Sequence, residues 1–411
     1  MLQSNTVVNH WLARLEQHLR DERYCKSVRK HYPRAARCFL CDVVRQGKAV
    51  ESVSPEDVED YLDGLTRLRD RAPLPASRRR EHGAALRMLL RVVHDGQWPP
   101  ETAPATADEV SALEIVKDYD TWMAQMRGLS AGTRSHHQFE ANSLLRWLHD
   151  RGQTIAALSV ADLDAYVASR IISLRRRTKV KVVRTLGHLL HYLHASGRMP
   201  IDLADTIDAP PIYELEDIPS TIRRQDIDRI LDAARRDRSQ MGRRDYAILM
   251  LLSTYGLRSG EVARLRLPDI DWRRQRLRIR HSKNGVHSDF PLLRGPADAL
   301  LDYLKHARPA TTAREVFLRV MAPYRPLSTH GAIYHVMCRR LRAAGVSLPG
   351  KRGAHVLRHS RAASLLTGGV PIKVIGDILG HRSEQSTANY LKLAVDDLRS
   401  VALDLPQGRL S

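Results

Sequence analysis

The sequence predicts a mainly α-helical protein with a small β-hairpin, built from two helical domains and a larger C-terminal domain. Apolar residues recur with the helical period along most of the 411 residues. A segment around Gly47 and Tyr61 resembles a second one around Gly152 and Tyr166, which indicates a repeated helical unit. The dipeptide that begins at Asn284 separates two runs of alternating apolar residues, and this pattern predicts a hairpin.

The first predicted helical domain spans residues 1–100. Three amphipathic stretches give it a core, and their apolar faces consist of Trp11, Leu12, Leu15 and Leu19, then Phe39, Leu40 and Val43, then Leu86, Leu89, Leu90 and Val93. A proline-rich hinge follows at 98–108, and its composition excludes regular structure.

Residues 109–204 form the second predicted helical domain. Its stretch "LRWLHDRGQTIAALSVADLDAYV" parallels "CDVVRQGKAVESVSPEDVEDYL" in the first domain, so we infer a duplication. The alternative is that two small helical bundles look alike by chance. The apolar face of its last helix is predicted to be Val182, Val183, Leu186, Leu190 and Leu193, with basic residues on the other side.

A linker at 205–220, rich in proline and acidic residues, leads to the C-terminal domain at 221–400 and a tail at 401–411. The run 246–252 reads as a buried helix that ends at Gly256, and Arg258 stands near the start of the next helix. Alternation around Leu277 and Phe290 predicts two strands. Lys283 then stands at the tip of the hairpin.

The stretch 353–390 gathers charged and aromatic side chains on short helices. His355 and Arg358 are three residues apart, so on a helix they share one face and can bind one anion together. Gly380 ends a short amphipathic helix, which places His381 just beyond it. A final helix, capped by Ser386 or Thr387, carries Tyr390.

These residue types bind phosphate, transfer protons and act as nucleophiles. His359 lies four residues after His355 and could suggest a metal pair, but no HExxH motif or Cys/His set accompanies it. We therefore interpret His359 as a supporting or structural residue, and we expect neither a metal nor another cofactor.

Composition indicates the partner. The formal net charge is +20, spread along the chain, which favours a folded protein that faces a polyanion such as double-stranded DNA. No apolar run reaches transmembrane length and no signal-peptide core is seen, so we expect a soluble, cytoplasmic protein with no membrane partner. The four cysteines agree with a reducing compartment.

The residues in order match a known family. The residues that carry the resemblance are Arg258 with Glu261, then Lys283, then His355-x-x-Arg358. The stretches that match are "TYGLRSGEVARL", "HVLRHS" and "LGH" nine residues before Tyr390. Together they resemble the catalytic constellation of tyrosine recombinases of the phage-integrase and Xer-like group. One departure is the hairpin, which has a single lysine where many members have two.

The resemblance implies a mechanism and an assembly. Tyr390 would attack a DNA phosphate, Arg258 and Arg358 would bind its non-bridging oxygens, and Lys283 would protonate the leaving oxygen. His355 and His381 would assist proton transfer and phosphate binding, and Glu261 would brace Arg258. The implied reaction passes through a 3′-phosphotyrosine and a Holliday junction, without metal or ATP, in a homo- or hetero-tetramer that can include companion recombinases.

The helical domains resemble the core-binding domain of this family, which usually occurs once, so a tandem pair suggests a transposon-type member. In the second domain, basic residues at the start of the last helix are predicted to contact DNA: Arg175, Arg176, Arg177, Lys179, Lys181 and Arg184. In the first domain the corresponding residues precede the last helix: Arg78, Arg79 and Arg80. A solvated basic face is the alternative for the second domain. The first domain could bind a neighbouring half-site, replace the separate arm-binding domain of many integrases, or mediate protein contacts.

Two other functions would use related residues. A type IB topoisomerase shares the chemistry but does not pair two sites, and the tandem helical domains disfavour it. A DNA-binding member without catalysis would act as the architectural partner of another recombinase. The complete set from Arg258 to Tyr390 argues against that role, so we expect a site-specific recombinase.

Overall fold

A computed structural model describes residues 2–67, 75–99, 107–211, 220–281, 287–328, 331–348, 350, 352–380 and 387. These residues form a mainly helical protein with a small antiparallel sheet, as the sequence predicts. The sheet has three strands, the two of the predicted hairpin and a short one that the sequence does not predict. By packing they divide into two compact units, one made from the residues within 1–100 and 218–411 and the other from those within 101–217. None of the described helices is long and apolar enough to cross a membrane.

Four helices make the N-terminal part of the first unit: α1 (Leu2–Asp21), α2 (Lys26–Arg45), α3 (Pro55–Arg67) and α4 (Ala76–Val93). The three predicted apolar faces are confirmed, because their side chains are buried together in one core. The predicted position of the basic run, before the last helix of the domain, is wrong. Arg78 to Arg80 lie inside the first turns of α4 and not before it.

The second unit has the same order of elements: α5 (Ala107–Gln125), α6 (Ala131–His149), α7 (Val160–Ile171) and α8 (Arg176–Ala195). Its core surrounds Tyr119 and Tyr166, and the apolar face predicted for α8 is buried. In both units a glycine with positive φ, Gly47 at 72° and Gly152 at 63°, follows the second helix and precedes a short 3₁₀ turn. This correspondence supports the inferred duplication.

The N-terminal helices contact the C-terminal region within the first unit. Arg23 Nη1 donates to the carbonyl of Ala310 over 2.9 Å, and Arg325 Nη2 pairs with Glu22 over 3.1 Å. The sequence does not predict this contact, because it suggests only a linear order of domains. The assignment of the two helical domains as core-binding domains remains a prediction.

The C-terminal region contains seven helices and three strands within the described residues: α9 (Arg224–Arg236), α10 (Gln240–Tyr255), α11 (Ser259–Ala263), β1 (Ile270–Asp271), β2 (Arg276–Arg280), β3 (His287–Pro291), α12 (Arg294–His306), α13 (Ala332–Ala343), α14 (His355–Thr367) and α15 (Ile372–Leu379). Helix α10 packs against α9, α12 and α14 and is the centre of the core. The buried helix predicted at 246–252 is therefore confirmed.

The sheet has the order β1-β2-β3 with antiparallel pairing. Leu277 pairs with Phe290 and Ile279 with Ser288, and the side chains of Leu277 and Ile279 are fully buried while the arginines between them face outward. The predicted hairpin is confirmed in its two strands. Its tip, with Lys283, lies outside the described residues.

Two glycines end helices where the sequence places the breaks. Gly256 closes α10 with φ +65°, and a Cβ atom there would lie 2.8 Å from Leu379 Cδ2. Gly380 closes α15 with φ +61°. Glycine adopts this left-handed conformation without steric cost, and in both places it also permits close contact between segments. The end of α10 consequently lies directly against the end of α15.

Candidate active site

Arg258 occupies the N-cap of α11, directly after the break at Gly256. Its Nη1 donates to Glu261 Oε1 over 2.9 Å, and its backbone N–H donates to Glu261 Oε2 over 2.8 Å. Its Nη2 donates to the carbonyl of Gly380 over 3.0 Å. The Arg258 side chain keeps 26% of its surface exposed, whereas that of Glu261 keeps 1%. Glu261 thus fixes the backbone N–H and one guanidinium nitrogen of Arg258, and the other donors of this arginine remain accessible to a ligand.

Arg358 lies on α14 and points into the protein. Its Nη1 donates to the carbonyl of Gly256 over 2.8 Å, and its Nη2 donates to the carbonyl of Leu379. The residue is 3% exposed. One guanidinium therefore joins the end of α10 to the end of α15, and these two segments adjoin Arg258 and His381 in the sequence.

The two arginines converge on the same turn. Arg358 binds the carbonyl of Leu379 and Arg258 binds that of Gly380, the last residue before His381. Because carbonyls that end a helix lack helical partners, guanidinium donors satisfy them and fix the turn. Residues more than a hundred positions apart are in this way brought to one place.

His281 is a member of this cluster that the sequence analysis did not single out. It follows β2 directly and is 6% exposed. Its Nδ1 shares a hydrogen bond of 2.8 Å with Glu261 Oε1, and its Nε2 shares one of 2.8 Å with Ser288 Oγ. A Cβ atom on Gly380 would lie 2.6 Å from its Cε1 atom. The only sequence signal is its position two residues before Lys283.

The carboxyl group of Glu261 is ionised in this setting. Burial by itself raises the pKa of Glu261, but hydrogen bonds from His281 and from the backbone and side chain of Arg258 outweigh burial and hold that pKa below its ordinary value. The ionised carboxylate accepts all of these bonds and balances the charge of Arg258.

His355 is the first residue of α14 and is exposed, and His359 is half-buried one turn later with its ring centroid 6.1 Å from that of His355. The predicted placement of His355 and Arg358 on one helix is confirmed. Among the described residues no group of side chains could hold a metal ion. The supporting role of His359 remains a prediction.

Three predicted site residues lie outside the described residues: Lys283, His381 and Tyr390. Their neighbours in the sequence are placed. His281 and Gly380 are in direct contact, and Thr387, three residues before Tyr390, is 2% exposed. A Cβ atom on Gly376 of α15 would lie 3.0 Å from Thr387 Oγ1. Their catalytic roles remain predictions.

The second unit contains a basic pocket between α6 and α8. It has a volume of about 430 Å³, and no carboxylate among the described residues lines it. Its lining consists of His137, Arg177, Val180, Lys181, Arg184, Thr185 and His188. Three of the residues predicted to contact DNA therefore face one cavity, which is suited to an anion. The rings of His137 and His188 stack within it, with centroids 5.7 Å apart.

The basic run of the first domain is differently placed. Arg79 pairs with Glu59 over 2.8 Å and also with Asp63, both on α3. Arg80 Nε donates to the carbonyl of Ala76. Arg79 consequently ties α3 to α4, and a contact with DNA would have to compete with two carboxylates. The DNA contacts of both basic runs remain predictions.

Lowering the pH is expected to destabilise the second unit. Burial, followed by the neighbouring His188, lowers the pKa of His137 from 6.5 to about 4. Between these values the unfolded chain binds the proton and the folded chain does not, so the free energy of unfolding falls as the pH falls. From pH 7 to pH 5 we expect a loss of at most about 2 kcal/mol.

Hydrogen exchange of the α6 and α8 amides at the two pH values, after correction for the intrinsic exchange rate, measures this loss. A His137→Gln variant serves as the control, because it removes the titrating group and retains a partner for the Tyr119 hydroxyl, which lies 2.8 Å from His137 Nδ1. Equal acid sensitivity of the two proteins would contradict the assignment.

Comparisons with known proteins agree with this arrangement. The model of the phage integrase family matches residues 220–396. A protein of Sinorhizobium fredii named as an integrase/recombinase, y4gC, is 52% identical over 194 residues, which are 47% of this chain and all of the relative. A second such protein of that organism, y4rA, is 34% identical over 324 residues, which cover 79% of this chain and 78% of the relative.

Solved structures give the same fold. The XerH site-specific recombinase bound to a palindromic difH substrate superposes with a TM-score of 0.56 at 15% identity, over 72% of this chain and 87% of that one. The family match, the relatives and the fold together identify a tyrosine recombinase. The chain belongs to the phage integrase family.

Proposed function

We propose that the protein is a site-specific DNA recombinase of the integrase or transposase type, which cuts and rejoins DNA through a 3′-phosphotyrosine and a Holliday junction. The observation that carries the proposal is the convergence of Arg258 and Arg358 on the turn that precedes His381. In a member of the phage integrase family, this convergence supports a phosphate site at the end of α15.

The chemistry follows from the residues. The Tyr390 oxygen attacks the scissile phosphorus and forms the phosphotyrosine bond, while the bond to the 5′-oxygen breaks. Arg258, which uses two of its guanidinium N–H groups within the described residues, offers the others to the non-bridging oxygens. Arg358 exchanges a carbonyl acceptor for phosphate as DNA binds.

Proton transfers complete each step. Lys283 gives a proton to the leaving 5′-oxygen, His355 assists removal of the proton from the tyrosine or transfer at the phosphate, and His381 donates a hydrogen bond to a non-bridging oxygen. Because the phosphotyrosine bond retains the energy of the cleaved linkage, a second strand can be joined without ATP. The balanced reaction also needs no metal.

The partner is double-stranded DNA. A net charge of +20 and the basic pocket between α6 and α8 support binding along the phosphate backbone. Binding that depends on many basic residues weakens steeply as salt rises, because those residues displace counterions. The second helical domain is the better candidate for the core-binding role, since Arg79 of the first domain already pairs with two carboxylates of α3.

The active assembly is a tetramer on DNA, formed by one chain type or with companion recombinases. A related structure, of lambda integrase bound to a Holliday junction, is a tetramer, with a TM-score of 0.54 at 19% identity. The four cysteines, all free, support a cytoplasmic location with a reducing environment. An architectural partner without catalysis is disfavoured by the intact and assembled arginine pair.

Covalent trapping tests the proposed function. A nicked suicide substrate that carries the DNA ends recognised by the protein should give a denaturant-resistant adduct in the presence of a chelator and without ATP. Peptide mapping should place the DNA on Tyr390, and Tyr390→Phe should bind the same DNA without forming the adduct. Specific binding without an adduct, or an adduct on another residue, would contradict the proposal.

A further inference from the structure

We propose that His281 is a positioning residue that sets the orientation of Arg258 through Glu261. The inference rests on the proposed function, because it concerns how the phosphate-binding arginine is held. His281 does not touch the reacting atoms in this proposal. Its contribution is to fix the carboxylate that fixes the arginine.

The first step is the hydrogen bond between His281 and Glu261. Both side chains are nearly inaccessible, with 6% and 1% of their surface exposed, and Nδ1 lies 2.8 Å from Oε1. An ionised carboxylate only accepts hydrogen bonds, so the imidazole Nδ1 carries the hydrogen. The same Oε1 atom accepts the bond from Arg258 Nη1 over 2.9 Å. One oxygen therefore receives both donors.

The second step is the far side of the ring. Nε2 lies 2.8 Å from Ser288 Oγ on β3. The serine hydroxyl can donate to this nitrogen or accept from it, so the contact persists with the hydrogen on Nδ1. The strand pair β2 and β3 thereby anchors the imidazole, and both ring nitrogens have a partner, which fixes the plane of the ring.

The third step is the contact between His281 and Gly380, which completes a closed set of four residues. The Cε1 edge of the ring lies so close to Gly380 that a Cβ atom there would be 2.6 Å away, and the carbonyl of Gly380 accepts the second guanidinium bond of Arg258. His281, Glu261, Arg258 and Gly380 thus each contact the next, and the last contacts the first. A guanidinium held at two points by a closed set of contacts is pre-organised for phosphate.

Replacement by two amides separates this role from simple packing. His281→Asn carries an amide N–H near the position of Nδ1 and can still donate to Glu261. His281→Gln carries its amide near the position of Nε2 and can reach Ser288 but not Glu261. We expect single-turnover cleavage of the suicide substrate to fall by about 10- to 100-fold in the glutamine variant and by less than about 5-fold in the asparagine variant.

DNA affinity should stay within about 2-fold in both variants, because many other basic residues bind the backbone. His287→Gln is the matched control, since this histidine is exposed at the start of β3. In an Arg258→Lys background the glutamine substitution should add little further loss, since the fork that His281 orients is gone. Full additivity, or a glutamine variant as active as the wild type, would overturn the proposal.

A measurement without catalysis keeps this test apart from that of the proposed function. Hydrogen exchange of the full chain should show faster exchange in α11 and at the end of α15 for His281→Gln, and near wild-type exchange for His281→Asn. If the wild type forms no adduct, the proposed function fails and the exchange result still decides the role of His281. Identical exchange in the two variants would count against it.

Discussion

Replacing Arg358 with lysine is expected to reduce DNA cleavage by a factor of about 10³ while leaving DNA binding nearly unchanged. The guanidinium reaches two carbonyls on different segments, those of Gly256 and Leu379. A lysine ammonium is a compact charge that cannot donate along two fixed directions at that separation. The substitution therefore keeps the charge and loses the geometry, which makes it more informative than alanine.

Two consequences follow from the lost geometry. The turn that leads to His381 loses one of its two guanidinium anchors. In the proposed mechanism the non-bridging oxygens also lose a planar guanidinium donor in the transition state. Both act on the chemical step and not on the ground-state contacts with the DNA backbone, so the rate constant falls and the dissociation constant does not.

Single-turnover cleavage of the suicide substrate measures the rate, and a gel-shift titration at constant salt measures the affinity. Arg294→Lys is the matched control. The side chain of Arg294 is 96% exposed on α12, and its ion pair with Asp298 is long, at 3.7 Å. That variant should cleave like the wild type. An Arg358→Lys protein that cleaves within a few-fold of the wild type would refute the assigned role.

The parts of the site that the sequence predicted are those carried by local signals. Apolar periodicity, together with the preference for glycine where φ is positive, predicts three features. They are the break at Gly256, the helix start at Arg258 and the end of α15 at Gly380. The hairpin strands follow from alternation around Asn284. Each of these signals extends over fewer than about 20 residues, so sequence pattern suffices.

The parts that the sequence did not predict depend on contacts between distant segments. His281 gains its importance only where Glu261 and Gly380 meet it, and nothing in the local sequence marks that meeting. Strand β1 has two residues, which is too short for a periodic signal. From the sequence Arg79 is predicted to contact DNA. The packing of α3 on α4 instead places Arg79 against two carboxylate partners.

A buried ion network in the core also depends on contacts between distant segments, and the sequence did not predict it. Asp245 on α10 is fully buried and its Oδ2 accepts from Arg339 Nη1 and from Arg340 Nε, each over 2.9 Å. Its Oδ1 accepts from Arg244 Nη2 over 2.8 Å. In the sequence the pairs Arg244-Asp245 and Arg339-Arg340 look like ordinary surface charges. Only the packing of α13 on α10 buries Arg244, Asp245 and Arg340, while Arg339 stays partly exposed.

Asp245→Asn is consequently expected to lower the free energy of unfolding of the first unit by about 3–5 kcal/mol. The amide has the shape of the carboxylate but no charge, and its NH₂ group meets guanidinium donors. Arg244 and Arg340, which are 5% and 3% exposed, would keep their charges without the central counter-charge. Asp237, which accepts from Arg340 Nη1 over 2.8 Å, compensates only one of the two.

Hydrogen exchange of the full chain measures this loss where it occurs. The amides of α10 and α13 should exchange faster in the Asp245→Asn protein, while those of α6 and α8 in the second unit serve as an internal reference and stay unchanged. Asp298→Asn is the control, because the Asp298 side chain is 70% exposed and its ion pair contributes little. Helix α13 also packs against α11, which Arg258 caps. A destabilised variant that still folded would for that reason cleave DNA more slowly as well, whereas unchanged protection of α10 and α13 would show that the network does not hold the core together.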